Sequence, residues 1–284
     1  MSGTVIAITG ATGYVGGVMA EALARDFDVV PLVRAPRGAG DLRWSFESNR
    51  SDLADELRRR GVGRVLHAAW DMNSSSLDEQ RRTSVAGSRA LLQAAKEAGA
   101  GFTFVSTISA FAGARSSYGR AKLEVEESTL AACGTVLRLG LVYGDAGERG
   151  VFGGLRATVR RAKFVPLIGR GDAPQYLLHE NTLADVARRS ADGVWDGFGR
   201  PITVAAPEPI PFRDLLRRIA HEEGRDPVLV PVPSPLLYAG LRLAEALGIR
   251  TGFRSDSVTS FVHQDSSPDF GAMRELGIEP RQLD

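Results

Sequence analysis

Apolar runs alternate with amphipathic segments along the first half of the chain. The run "TVIAITG" is rich in β-branched residues and ends in glycine, as expected of a buried strand. Similar runs recur at 28–34, 63–70, 102–107 and 135–144, and "VMAEALAR", "SDLADELRRRG" and "RRTSVAGSRALLQAAKEAG" between them have helical spacing. Repeated strand–helix units predict an α/β fold with a doubly wound parallel sheet, whose ligands bind at the carboxyl ends of the strands.

A glycine-rich turn joins the first predicted strand to the first predicted helix. Gly10, Gly13 and Gly16 have the spacing G-x-x-G-x-x-G. Gly10 permits a tight turn, Gly13 lets backbone N–H groups approach a pyrophosphate, and Gly16 lets the helix pack closely on the strand. Because the order is strand, turn, helix, the sequence predicts a dinucleotide site here.

The residues after the second predicted strand indicate which dinucleotide is used. An Asp or Glu there favours NAD, whereas Arg accommodates the 2′-phosphate of NADP. Arg34 ends this strand and Arg37 follows three residues later, without an acid at the strand end. We therefore expect NADP rather than NAD, the alternative being that Arg34 only ends a strand in an arginine-rich protein.

Lysine is rare in this chain. Of 35 Lys and Arg residues only Lys96, Lys122 and Lys163 are lysines. Lys122 follows Tyr118 by four residues in "SSYGRAKLE", so the two share one face of a helix. A site that needs a compact ammonium beside a phenol cannot use a planar guanidinium instead.

Five motifs, in chain order, resemble the short-chain dehydrogenase/reductase superfamily: "TGATGYVGG", "HAAW", "STISAF", "YGRAK" and "LRLGLVYG". Their spacing and the chain length are similar to the extended branch, the NAD-dependent epimerase/dehydratase type. The resemblance covers nearly the whole chain. It implies a Rossmann dinucleotide-binding core at 1–143, to which 175–206 return, and a smaller, C-terminal substrate-binding lobe formed by 144–174 and 207–284.

The resemblance also implies catalytic roles. Tyr118 would be the general acid/base, and Lys122 would lower the pKa of its phenol and hold the nicotinamide ribose. Thr107 matches best the hydroxyl that orients the reacting oxygen, with Ser106 and Ser109 as alternatives. Ser84 stands where the family usually has Asn, and we interpret it as a structural hydroxyl.

Further residues follow from the same resemblance. His67 and His179 are interpreted as structural imidazoles, and no histidine or cysteine spacing suits a metal. Arg170 or Arg254 could meet an anionic substrate group, although an ordinary surface role is favoured for both. The implied cofactor-binding residues are Gly10, Thr12, Gly13, Tyr14, Val15, Arg34, Ala68, Ala69, Trp70, Lys122 and Leu141.

Two functional hypotheses remain open at this point. The first is an NAD(P)-dependent oxidoreductase or epimerase that acts by hydride transfer on a small carbonyl or alcohol substrate, such as a nucleotide sugar. The alternative is a non-catalytic NADP(H)-sensing regulatory protein, but retention of Tyr118 and Lys122 favours chemistry. We expect "DAGERGVFGGLR" and "RTGFRSDSVTSF" to be mobile or variable loops of the substrate pocket.

Composition and charge limit the partners and the compartment that we expect for this protein. A net charge of +1 gives no general attraction to nucleic acid or to an anionic membrane. We see no apolar run of about 18 residues and no basic segment before the first strand, so neither a membrane span nor a signal peptide is expected. The single cysteine, Cys133, is expected to be a small buried side chain and fits a reducing cytoplasm. The expected partner is a small-molecule substrate, and a homodimer stays open.

Overall fold

The computed structural model describes residues 4–281 except residue 75 and the ranges 145–148 and 248–254. Within these residues the strands are β1 (Val5–Thr9), β2 (Asp28–Val33), β3 (Leu42–Arg43), β4 (Val62–His67), β5 (Gly101–Thr107), β6 (Thr135–Leu139), β7 (Leu141–Tyr143), β8 (Phe164–Ile168), β9 (Pro174–Gln175), β10 (Leu177–His179), β11 (Ile202–Val204), β12 (Ile210–Pro211) and β13 (Val228–Val232). The α-helices are α1 (Tyr14–Leu23), α2 (Arg50–Arg59), α3 (Leu77–Gln80), α4 (Ala86–Ala98), α5 (Ser117–Ala131), α6 (Gly150–Arg161), α7 (Glu180–Ala191), α8 (Phe212–Glu222), α9 (Ser234–Ala246), α10 (Ser255–Val262) and α11 (Gly271–Glu275).

A seven-stranded parallel sheet forms the centre of the fold. Its spatial order is β11-β6-β5-β4-β1-β2-β3, and each neighbouring pair is parallel. The chain moves outward in one direction from β1 to β3 and in the other from β4 to β6. The crevice where the order reverses, between β1 and β4, is where open sheets of this kind bind ligands. The predicted doubly wound Rossmann-type sheet is therefore confirmed.

Side chains alternate between the two faces of this sheet. Ile6 and Ile8 pack on one face with residues of α1, α7 and α11, whereas Ala7 faces the other with residues of α2, α4 and α5. This two-residue period is the reason that one apolar run can serve two cores. Helices therefore cover both faces of the sheet, as in other open sheets that bind ligands at the carboxyl ends of their strands.

A third core lies outside the main sheet. It is built from α6, α8 and the parallel pair β8–β13, with Phe152, Val165, Leu215 and Ile219 among its buried residues. Strands β7 and β10 pair in parallel and β9 pairs with β12, which links this core to the segment that follows β6. The domain boundaries at 143, 174 and 206 stay predictions.

The apolar run at 135–144 is two strands rather than one. It breaks at Gly140, after which β7 leaves the main sheet and pairs with β10. A Cβ at Gly140 would overlap the carbonyl oxygen of Tyr176, so only glycine permits the chain to cross here. Sequence periodicity could not show this break because both halves are equally apolar.

The expected loops and the expected cysteine environment are wrong where the structure describes them. Residues 150–161 and 255–262 form helices α6 and α10, while 145–148 and 250–254 lie outside the described residues. Cys133 is exposed and has a positive φ of 57°. It lies at the left-handed turn between α5 and β6, which directs its side chain to solvent. Among the described residues, no helix is long and apolar enough to span a bilayer.

Candidate active site

The glycine turn after β1 has the close packing that its spacing predicts. Gly10 has a φ of +74°, and a Cβ there would lie 2.9 Å from the Ala68 carbonyl carbon and the Ala69 nitrogen. A Cβ at Gly16 would overlap the Gly10 carbonyl, so α1 can approach the turn only because Gly16 has no side chain. Gly13 precedes α1 in extended conformation and is exposed. The turn therefore leaves a cradle of backbone at the N-terminus of a helix, which fits a dinucleotide pyrophosphate.

A threonine that the sequence analysis did not single out organises the ends of β1 and β4. The Thr9 hydroxyl accepts hydrogen bonds from the Ala68 and Ala69 nitrogens at 3.1 and 3.0 Å. Because these two bonds occupy both lone pairs of the hydroxyl, its single proton is donated to His67 Nδ1 at 2.7 Å. The neutral ring therefore carries its proton on Nε2, which donates to Ser88 Oγ at 2.7 Å. Burial, with a smaller contribution from the Lys122 charge, lowers the pKa of His67 to about 3. The structural role expected of His67 agrees with these contacts.

Tyr118 and Lys122 lie one turn apart near the start of α5, at the same edge of the sheet. Lys122 is buried, and its Nζ donates to the Val105 carbonyl of β5 at 2.6 Å. The ammonium also lies 4.5 Å from the Trp70 ring centroid, 4.7 Å from that of Phe104 and 5.7 Å from that of Tyr118. Trp70 meets Tyr118 edge-on, with centroids 6.0 Å apart. The Trp70 and Phe104 rings, together with the phenol ring of Tyr118, therefore surround a compact cation.

Burial dominates the pKa values of this pair. It raises the pKa of the Tyr118 phenol to about 12. It lowers the pKa of Lys122 to about 7, and the nearby negative charge of Glu126 opposes this lowering. Burial therefore has the larger effect on the Tyr118 phenol, and a lowering of its pKa by Lys122 stays a prediction. At neutral pH Tyr118 therefore holds its proton.

The three candidate hydroxyls at the end of β5 have different surroundings. Ser106 is buried and donates to the Glu126 carboxylate, which also accepts from Arg138 Nε at 3.0 Å and from Arg138 Nη2 at 2.6 Å. Thr107 is half-buried on the opposite side of the strand, and its hydroxyl accepts from the Ser109 nitrogen at 3.3 Å. Because the Ser106 hydroxyl is already engaged with a buried ion pair, the geometry favours Thr107 or Ser109 as the hydroxyl that meets a substrate.

The segment before α4 contains a π-helical turn, Arg81–Val85. Ser84 lies in it, is fully buried and accepts a hydrogen bond from the Asp71 nitrogen at 3.2 Å. Trp70 Nε1 donates to Gln80 Oε1 at 2.9 Å on the same segment. Ser84 and Gln80 therefore hold the chain that follows β4, in agreement with a structural role for Ser84, and they fix the Trp70 ring beside Tyr118.

Strand β2 ends where the sequence predicts, directly before the two arginines. The strand ends at Val33, and Arg34 and Arg37 are exposed directly after it. The Arg37 nitrogen donates to Asp41 Oδ2 at 2.8 Å, so this exposed loop also holds one carboxylate. Neither guanidinium makes an ion pair with the described part of the chain.

The remaining predicted contacts are distributed around the turn. Thr12 is exposed, and Tyr14 and Val15 are half-buried in the first turn of α1. The Tyr14 hydroxyl donates to Glu180 Oε2 at 3.1 Å. Leu141 lies in β7, and its backbone nitrogen donates to the Tyr176 carbonyl at 2.8 Å. Their roles toward a cofactor stay predictions.

Other residues singled out in the sequence lie away from this cluster. His179 accepts from the Asn181 nitrogen at 3.0 Å and caps α7, in agreement with a structural role. Arg170 is exposed, and Arg254 lies outside the described residues. In the ranges that the structure describes, no group of three or more His, Cys, Asp or Glu side chains could hold a metal ion.

One residue at the turn was missed by the sequence analysis. Arg149, immediately before α6, is exposed and its Nη2 donates to the Gly13 carbonyl at 3.1 Å. It thus brings a positive charge from the third core to the N-terminus of α1. In the sequence, Arg149 is only an arginine in an expected variable loop. Gly13, which it contacts, lies 136 residues away along the chain, so no local pattern indicates the contact.

The fold and this cluster define a dinucleotide-dependent α/β protein, and comparison with known proteins gives the family. The profile of the NAD dependent epimerase/dehydratase family matches residues 6–189, and the chain belongs to this family. The curated protein "Ceramide reductase" of Caulobacter vibrioides is 25% identical over 287 aligned positions, which cover 95% of this chain and 88% of that protein.

Solved structures show the same fold. The UDP-glucose 4-epimerase of Thermotoga maritima, solved with UDP-glucose, superposes with a TM-score of 0.72 at 21% identity, covering 98% of this chain and 94% of that one. The Thermus thermophilus UDP-glucose 4-epimerase in complex with NAD gives a TM-score of 0.68 at 20% identity, covering 92% and 98% respectively. The family profile therefore confirms the predicted family and supports a nicotinamide dinucleotide cofactor, and the solved structures confirm the Rossmann-type fold.

Proposed function

We propose that this protein is an NADP(H)-preferring oxidoreductase that reduces a substrate carbonyl to an alcohol, with Tyr118 as the proton donor. The observation that carries the proposal is the Tyr118–Lys122 pair, which lies beside Trp70 at the carboxyl edge of the sheet. A phenol whose pKa is raised to about 12 keeps its proton at neutral pH. It is therefore in the form that reduction requires.

The backbone turn at Gly10, Gly13 and Gly16 would hold the pyrophosphate of the cofactor, because Gly10 and Gly16 let the turn pack closely on β4 and α1 and leave the N-terminus of α1 open at Gly13. Arg34, exposed at the end of β2, would pair with a 2′-phosphate through charge-assisted hydrogen bonds. When bound, the nicotinamide supplies the hydride that the reduction consumes. Lys122 would bind the ribose hydroxyls beside it, since its ammonium has further N–H groups besides the one given to Val105.

The proton step uses this chain's own residues. The Tyr118 hydroxyl donates its proton to the carbonyl oxygen as that oxygen becomes an alkoxide, and the Thr107 hydroxyl donates a hydrogen bond that holds the oxygen in place. The resulting tyrosinate is stabilised by the Lys122 ammonium, whose Nζ lies 5.7 Å from the ring centroid. Trp70 and Phe104 exclude water from that ammonium, which strengthens the interaction.

Reduction rather than epimerisation is supported by the curated relative, which is named as a reductase. Because of that name, we include amphiphilic ketones beside nucleotide sugars among the substrates to be tested. Large apolar side chains are exposed on β8, at Phe164, and on α9, at Leu236 and Leu243, which suits a substrate with an apolar portion.

The test is oxidation of NADPH and of NADH, followed by absorbance, with a panel of 4-keto nucleotide sugars and long-chain amide ketones. We expect turnover of at least one ketone, with NADPH preferred. Tight dinucleotide binding without turnover of either class would contradict the proposal and favour a cofactor-sensing protein.

A further inference from the structure

The catalytic helix α5 begins one residue before Tyr118, so the backbone N–H groups of its first turn have no partner within the helix. The Ser116 hydroxyl accepts from the Gly119 nitrogen at 3.0 Å and satisfies one of them. The N–H groups of Ser117 and Tyr118 donate instead to Oδ1 and Oδ2 of Asp256, at 2.8 and 3.0 Å. One carboxylate therefore caps the helix at the residue that carries the phenol.

Asp256 comes from a distant part of the chain. It lies in the first turn of α10, 138 residues beyond Tyr118, in the segment expected from the sequence to be a variable loop. Helix α10 packs against both α5 and α9. The C-terminal segment therefore reaches the catalytic helix through a carboxylate, which also suits the positive end of the α5 dipole.

A second contact holds the same turn. A Cβ at Gly119 would overlap the carbonyl oxygen of Ser109, so the start of α5 is pressed against the loop that follows β5. The backbone of Tyr118 is thus fixed between this loop and α10. Removal of Asp256 frees one of these two sides.

We propose that Asp256 is a positioning residue for Tyr118, through which the C-terminal segment sets the placement of the catalytic phenol. The inference rests on the proposed function for its kinetic consequence, and on the two hydrogen bonds alone for its structural one. Displacement of a catalytic group by about 1 Å can cost roughly a hundredfold in rate. Because Asp256 does not touch the glycine turn, its loss should affect turnover and not cofactor affinity.

The experiment compares Asp256→Ala and Asp256→Asn with a matched control, Asp269→Ala. Asp269 lies in the same C-terminal segment and its Oδ1 accepts from the Gly271 nitrogen at 2.7 Å at the start of α11, so the control also removes a carboxylate cap. Hydrogen exchange is measured on peptides that contain residues 117 and 118. kcat and the dissociation constant of NADPH are measured on the same samples.

We expect exchange at residues 117 and 118 to be at least about tenfold faster in Asp256→Ala, because the two amides lose a charged acceptor. kcat should fall about ten- to a hundredfold while the NADPH dissociation constant stays within about twofold. Asp256→Asn should lie between Asp256→Ala and the wild type, since its amide has one acceptor oxygen for two donors. Asp269→Ala should leave both readouts at these residues unchanged.

In a Tyr118→Phe background, Asp256→Ala should cost little further activity, because both changes act on the same proton donor. Unchanged exchange at 117 and 118 in Asp256→Ala would overturn the proposal whatever the turnover. Faster exchange with an unaltered kcat would also overturn it, since the cap would then be only structural. If the wild type turns over no ketone, the proposed function fails while the exchange measurement still decides the cap.

Discussion

The buried ammonium of Lys122 should make the folded protein less stable below about pH 7 than above it. Its pKa is lowered from 10.5 to about 7, and its side chain is almost fully enclosed. A base whose pKa is lower in the folded state binds fewer protons there than in the unfolded chain. The free energy of unfolding therefore rises with pH between about 7 and 10.5 and is lowest below about 7.

The magnitude follows from the shift. A difference of about 3.5 pKa units corresponds to about 5 kcal/mol of penalty at pH 6, where both states are protonated. At pH 8.5, which lies about 1.5 pH units above the pKa in the folded state, the penalty is smaller by about 2 kcal/mol. Lys122→Met removes the charge at similar length but forfeits the hydrogen bond to Val105, at about 1 kcal/mol. We therefore expect the variant to be about 4 kcal/mol more stable than the wild type at pH 6.

The assay is urea unfolding of the cofactor-free protein at about pH 6 and pH 8.5, with Lys96→Met as control. Lys96 is exposed on α4, so its loss should change stability equally at both pH values. The advantage of Lys122→Met should shrink by about 2 kcal/mol between the two pH values. The pH difference is the sharper readout because packing and hydrogen-bond terms cancel in it. A stability advantage of equal size at both pH values would contradict a lowered pKa of Lys122 in the folded protein.

Three further predictions concern the site. Lys122→Arg should abolish most turnover, because a planar, forked guanidinium does not reproduce the compact ammonium that lies 4.5 and 4.7 Å from the Trp70 and Phe104 ring centroids. Steady-state kinetics at wild-type levels would contradict this. Thr107→Ala should lower kcat with little loss of stability, whereas Ser106→Ala should mainly destabilise the protein by removing a partner of buried Glu126, and kinetics with thermal unfolding separate the two. We expect the wild type to bind NADP(H) at least tenfold more tightly than NAD(H), a difference of about 1.4 kcal/mol. Arg34→Ala should remove most of this preference while NAD(H) affinity stays nearly constant. Calorimetric titration measures both affinities.

The features that the sequence predicted correctly are those set by local pattern. The glycine spacing, the first four apolar runs and the Tyr118–Lys122 interval each fit within a few residues of chain, and each has the predicted local geometry. Their order along the chain was enough to indicate the doubly wound sheet, because right-handed strand–helix units admit few alternatives.

The features that the sequence did not predict depend on contacts between distant segments. Asp256 and Arg149 reach α5 and the glycine turn across more than a hundred residues, and each looked like an ordinary loop charge. The raised pKa of Tyr118 has the same origin, because burial by Trp70 and its neighbours is a property of the folded chain. The break at Gly140 and the exposed Cys133 turn likewise depend on tertiary packing.

In the proposed reaction Tyr118 donates the proton, while other residues hold the dinucleotide. The most direct measurement is the pair kcat and NADPH dissociation constant for Tyr118→Phe, a change that removes only the hydroxyl. We predict that kcat falls by roughly two to four orders of magnitude while the dissociation constant stays within about twofold. Turnover at the wild-type rate, or a loss that lies entirely in cofactor binding, would contradict the claim.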